Sequence, residues 1–244
     1  MNETKSLLVD ENATKEFIGE VVPDLVDDEV LMLLLFARKK YHKSVTDEWM
    51  LFRDIVRSSD EEVIMRKIRR NAFFSDDYTD FKTGAPMPME AFVFYIDLFP
   101  KSMYKAHIKY MKECADIIYR IIKGGNNLSE TKKFKTKFYS NIQKSNSYKP
   151  YIILDVDEKS EDLLETLLNI VNHKYIWISE TRGGYHIILK KTKDLSKILY
   201  TAIIKENRNN PNSAFSEVEI KGNVGMTAIP GTMQGGFVVK RWNK

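Results

Sequence analysis

The sequence predicts an α+β protein whose C-terminal half follows the order β-α-β-β-α-β. Three observations predict it. From Tyr151 onward, short β-branched or alternating runs (YIILDVD, YIWIS, YHIILK, SEVEIK, FVVKRW) are interleaved with two helical patterns, SEDLLETLLNIVN and LSKILYTAIIKE. The second and third of these runs are joined by the tight-turn sequence TRGG, which makes them an antiparallel pair. Upstream, the strand-like FVFYIDLF is followed by Pro100 and an amphipathic helical pattern, SMYKAHIKYMKECADIIYRIIK, which adds a further strand and helix.

The order β-α-β-β-α-β is that of a split, ferredoxin-like unit, with helices on one face of an antiparallel sheet and the other face open for a site. Before it, residues 24 to 42 (DLVDDEVLMLLLFARKKYH) begin with aspartates and end with Arg38, Lys39, Lys40 and His42, the charge order a helix dipole favours. That stretch reads as a buried helix. DEEVIMRKIRRN reads as a second one, with Ser59 or Asp60 as its cap. The expected division is therefore a helical accessory region over residues 1 to 85, an upstream αβ unit with a basic loop over 86 to 149, and the β-α-β-β-α-β unit over 150 to 244. The loop TGAPMPM marks the first boundary.

Composition narrows the class. A charged fraction of 30% and a hydrophobic fraction of 43% are those of an ordinary globular chain, and no apolar run approaches the ~20 residues of a membrane span. The start, MNETKSLLVDENATKEF, has neither a basic first segment nor an apolar stretch, so the expectation is a cytoplasmic protein without a signal peptide. The single cysteine, Cys114, excludes an internal disulfide and any zinc ribbon or finger built on several thiolates. A net charge of +4 is too small to prove a polyanionic partner, so its distribution carries more information.

Three patterns carry chemistry. In YIILDVDEK, the two-residue period of a strand puts Asp155 and Asp157 on one face, where paired carboxylates invite a hard divalent cation; the same pattern also suits a solvated strand end. Glu217 and Glu219 alternate in the same way in SEVEIKG, with Val218 and Ile220 facing the helices. In TRGGYHIILK, Gly183 and Gly184 form the turn before a strand carrying His186. Arg182, the glycine amides and the histidine are together suited to a triphosphate, although a lone strand histidine also serves structure.

Asp155-Val156-Asp157, then Gly184-Tyr185-His186, then an acid on a following strand, resembles the three-motif signature of the archaeo-eukaryotic primase superfamily. EIKGNVGMTAIPGT is similar to the third motif of its primase-polymerase branch, with Glu219 as the matching acid, Lys221 where arginine is frequent and Val224 in place of a glycine. FVFYIDLFPKSMYKA resembles the strand and helix that open the catalytic domain. The resemblance implies an RRM-like catalytic half and template-dependent joining of nucleotides on single-stranded DNA. It implies two Mg²⁺ or Mn²⁺ ions held by Asp155, Asp157 and Glu219, and a nucleoside triphosphate contacted by His186, with Arg182, Gly184 and Lys221 beside it. A replicative helicase or another replication protein is the implied partner.

The segment before the first acidic strand is basic and aromatic. Lys132, Lys133, Lys135 and Lys137 alternate with Phe134, Phe138 and Tyr139, a combination that holds single strands through phosphate contacts and base stacking. A solvated loop with a few anchoring aromatics gives the same pattern. Two other functions remain open on sequence: a non-catalytic RRM-like module for single strands, and a haloacid dehalogenase-like phosphohydrolase, which requires a parallel sheet.

Overall fold

A computed structural model describes residues 6–73, 78–123, 134–210, 213–222 and 224–243. Its architecture is α+β, with two antiparallel sheets. The first sheet has the order β10-β9-β3-β1-β2, with β8 also paired to β3. Its strands are β1 (Glu29–Ala37), β2 (Trp49–Val56), β3 (Phe92–Ser102), β8 (Met226–Ala228), β9 (Met233–Gln234) and β10 (Phe237–Val238). The second has the order β11-β5-β6-β4-β7, built from β4 (Tyr151–Val156), β5 (Trp177–Glu180), β6 (Tyr185–Lys190), β7 (Val218–Lys221) and β11 (Lys240–Arg241). All of its strand pairs are antiparallel, contrary to the parallel sheet of the phosphohydrolase reading.

The first correction concerns residues 24–42, of which Glu29–Ala37 form a strand and none forms a helix. β1 lies between β3 and β2 and is buried on both faces, with Leu31, Leu33 and Leu35 on one side and Val30, Met32 and Leu34 on the other. A strand covered on both faces shows no alternation, and its continuous apolar run mimics a buried helix. Each fully buried leucine contributes about 1.5–3 kcal/mol by leaving water. Residues 1–85 are accordingly no helical accessory region, since β1 and β2 share a sheet with β3. The C-terminal residues 226–238 return to that same sheet, so the boundaries at 85 and 150 both cut through it.

Helices cover the sheets. α1 (Glu11–Val21) is capped by Asp10 and α2 (Glu61–Ala72) by Asp60; both pack on the face of the first sheet that carries Leu31 and Phe94. On the opposite face lie α3 (Met103–Ile122) and α4 (Phe134–Gln143). α4 is a second correction, because the segment 126–149 reads in sequence as an irregular loop. Phe134, Phe138 and Ile142, spaced four apart, are the signal for it.

In the second sheet, Ile152, Leu154, Val156, Ile187 and Leu189 face α5 (Glu161–Ile170) and α6 (Lys193–Leu199). The helix after α6 continues as a π-helical stretch, Tyr200–Lys205, and a short α7 (Glu206–Asn209). The other face is only partly open. Ile153, Trp177 and Ile188 join the first sheet's core, where Phe17 of α1 meets Trp177 edge-on at 5.4 Å. What stays uncovered is the end of that face where the acids lie.

Candidate active site at the junction of the two sheets

Alternation along β4 sends Ile153 and Asp155 to the face opposite the helices. Antiparallel register then sets Asp155 directly beside His186 of β6 and Glu219 of β7. Direct cross-strand partners have Cβ atoms about 4.5–5.5 Å apart, so His186, Asp155 and Glu219 form one row over three adjacent strands.

Asp155 is the centre of that row. Its Oδ1 lies 2.9 Å from His186 Nε2 and its Oδ2 2.5 Å from Lys221 Nζ. Burial alone would raise the Asp155 carboxyl, but the His186 imidazole and the Lys221 ammonium outweigh it and hold the group well below the usual carboxylate range. The other ring nitrogen of His186, Nδ1, lies 2.8 Å from Thr227 Oγ1 of β8. Both nitrogens are thus engaged, and His186, only 4% exposed, ties the two sheets together while fixing Asp155.

Asp157 lies just past the end of β4 and is exposed; its amide donates to the Glu217 carbonyl at 2.9 Å. Glu219 is exposed as well. Among the described residues no three histidine, cysteine, aspartate or glutamate side chains are gathered closely enough to cage an ion. Lys221 Nζ is the cation that Asp155 meets.

Asp155, Asp157, His186 and Lys221 line a cavity of about 260 Å³, with Arg182 and Gly183 at its edge. The opposite wall comes from the first sheet and its loops: Arg38, Lys40, Tyr41 and Tyr95. Arg38 Nη1 donates to Tyr95 Oη at 3.1 Å, and the Arg38 guanidinium pairs with Glu48. Arg182 lies 5.1 Å over the Tyr41 ring, and Gln234 bridges them, accepting from the Arg182 amide at 3.0 Å and donating to Tyr41 Oη at 2.8 Å. Burial, followed by the neighbouring Tyr95, pushes the Tyr41 hydroxyl far above its ordinary range, so it stays protonated. Gly235 permits this contact: at φ +59° its absent Cβ would fall 2.8 Å from both Arg182 Nη1 and Tyr41 Cγ. Four cations (Arg38, Lys40, Arg182 and Lys221) therefore face two carboxylates in one cavity, a charge pattern suited to a phosphorylated ligand.

The two turn glycines differ. Gly183 lines the cavity. Gly184 is buried, donates its amide to Thr181 Oγ1 at 3.1 Å and serves the turn, not a phosphate. A Cβ on Gly184 would fall 1.8 Å from the Val156 carbonyl oxygen, whereas one on Gly183 would meet only Asp157 Oδ1 at 3.8 Å. Gly184→Ala is expected to cost about 3 kcal/mol or more, and Gly183→Ala to leave stability nearly unchanged, as measured by urea unfolding. Equal stabilities for the two variants would contradict this packing.

The basic segment is placed elsewhere. Lys132 and Lys133 lie outside the described residues. Lys137 pairs with Glu113 at 3.3 Å, and Phe138 packs edge-on against His107 and Tyr110 of α3. These two side chains hold α4 to α3. Lys135 is exposed and Phe134 half-buried, and neither they nor Lys137 and Phe138 line the cavity.

Sequence reasoning did not assign Arg38, Lys40, Tyr41, Tyr95 or Gln234 to the site. The signal was the cluster ARKKYH directly after an apolar run, which the helix reading turned into a dipole-compensating end. No protein-family model matches the chain, and neither the curated proteins nor the solved structures compared with it give a match.

Proposed function

We propose that this chain is a template-dependent nucleotidyltransferase, a primase or primase-polymerase that joins nucleotides on single-stranded DNA. The observation that carries this reading is the row His186-Asp155-Glu219, which lies beside Asp157 at the junction of the two sheets. The strand order β7-β4-β6-β5 within a β-α-β-β-α-β succession supports an RRM-like catalytic half. A purely nucleic-acid-binding module has no need of two carboxylates among the cavity's four cations, because they offset the attraction of those cations for phosphates.

The acids near the row are the oxygen donors that hard divalent ions take, and Asp157 and Glu219 are exposed, while both oxygens of Asp155 are engaged by His186 and Lys221. Asp155, Asp157 and Glu219 would hold Mg²⁺ or Mn²⁺, which when bound activates a 3′-hydroxyl and neutralises the departing pyrophosphate. The protein's own contribution is positioning. His186 and Lys221 keep Asp155 ionised and oriented, while Arg38, Lys40 and Arg182 offer donors to the oxygens of a triphosphate.

A labelled nucleotide, a primed single-stranded template and a titration of Mn²⁺ or Mg²⁺ test the reading. Incorporation is expected only with metal, and chelation is expected to abolish it. Glu219→Gln is expected to be inactive and Glu217→Gln only impaired, because Glu219 is the cross-strand partner of Asp155. The reverse ranking would move the third acid by one strand repeat.

A further inference from the structure

α3 carries a stripe of apolar side chains that the rest of the described protein leaves uncovered. Tyr104, Ile108, Met111, Ala115, Ile118 and Ile122 follow one another at intervals of 4, 3, 4, 3 and 4 residues, and all are exposed. Met111 is 65% exposed and Ile122 77%. An average period of 3.5 residues keeps such positions in one seam, here about 27 Å long at 1.5 Å per residue. The helix is anchored on a different face, where Ala106 and Ile117 are buried, Tyr110 meets Phe138, and Glu113 pairs with Lys137.

The solvent side of the seam has a basic border. At 100° per residue, Lys105, Lys109, Lys112, Arg120 and Lys123 fall along one edge, with Asp116 the sole acid among them. Among the described residues no carboxylate pairs with these five cations. Lys105 and Lys109 reach only the carbonyls of Asn146 and Lys144, each at 3.4 Å, and Arg120 reaches the Asp116 carbonyl at 3.3 Å. Lys123 sits 5.0 Å over the Tyr119 ring.

We propose that this face of α3 docks an amphipathic helix of a partner protein, whose apolar stripe is bordered by glutamate or aspartate. The seam is a narrow one of first and fourth heptad positions, the width that receives a single helix. Its aliphatic residues offer nothing to a phosphate backbone. A second copy is disfavoured by charge, because antiparallel seam-to-seam packing sets the basic border against itself. Acidic flanks on the incoming helix complement the five basic side chains, with which no carboxylate among the described residues pairs, and fix its orientation.

The test uses the full chain and a labelled helical peptide with leucine at the first and fourth heptad positions and glutamate at the flanking ones. The peptide's own charge keeps it from pairing with itself. Fluorescence anisotropy is expected to show binding, weakened at least about tenfold when the flanking residues are lysine. Ile108→Ser combined with Ile118→Ser is expected to abolish binding while leaving the thermal melt unchanged, since both side chains are exposed. Two results would overturn the proposal. One is equal binding of the lysine counterpart; the other is no binding of the acidic peptide, with association with phosphatidylcholine–phosphatidylserine vesicles, or dimerisation in sedimentation, that the double variant removes then naming the occupant instead.

Discussion

Asp155→Asn is expected to lower nucleotide incorporation by about a hundredfold to a thousandfold while template binding changes little. The substitution keeps the shape of the side chain and removes its charge. Asp155 accepts from His186 on one oxygen and Lys221 on the other, whereas asparagine offers one acceptor and turns an amide donor toward a second donor. Removing one electrostatic contributor at such a site costs about 3–4 kcal/mol of transition-state stabilisation, which sets the expected loss. The folded state also loses roughly 1–3 kcal/mol, because the site is mostly buried and one donor is left without a partner. Single-turnover incorporation, beside an anisotropy measurement of template affinity, separates the two effects. Wild-type turnover in Asp155→Asn would remove the row from the mechanism.

Lys101→Met is expected to be strongly destabilising although Lys101 lies outside the candidate site. Lys101 and Asp97 of β3 are both fully buried and their charged atoms lie 2.8 Å apart. Burial pulls the Lys101 ammonium below its ordinary range, and the Asp97 carboxylate opposes that shift. Asp97 Oδ1 also accepts from the amides of Phe99 at 3.1 Å and Gly225 at 3.0 Å, which ties β3 to the approach of β8 and so to Thr227 behind His186. Taking away the lysine leaves a carboxylate uncompensated in the interior, at a cost of about 3–5 kcal/mol, or a fall of roughly 6–20 °C in melting temperature. Adding Asp97→Asn to this variant is expected to recover part of the loss, because the asparagine carbonyl still accepts both amides without the charge. A double variant less stable than Lys101→Met would contradict the account of the pair.

The second sheet was legible because its strands alternate: period two in YIILDV and YHIILK separates the helix-facing residues from Asp155 and His186, and TRGG sets the hairpin. The first sheet was not, because β1 is buried on both sides and its leucines, methionine and alanine also favour helix. That one misreading hid the cavity's second wall, since Arg38, Lys40 and Tyr41 follow β1 and became the end of an expected helix. Pairing was invisible too. Nothing local in MTAIPGTMQGG tells that β8 and β9 leave the second unit to join β3, the non-local contact that brings Thr227 to His186 and Gln234 to Arg182. The lysine and aromatic segment was read by composition, although its four-residue spacing of Phe134, Phe138 and Ile142 already described a packed helix.

Template direction is the central claim, and one experiment reaches it directly. Single-stranded DNA of a single repeated base, unprimed and primed, is incubated with Mn²⁺ or Mg²⁺ and each labelled nucleoside triphosphate in turn, in both ribose and deoxyribose forms. The expected result is metal-dependent incorporation of the complementary base alone, absent in Asp155→Asn. Incorporation regardless of template base, or none with any nucleotide on either template, would contradict the account.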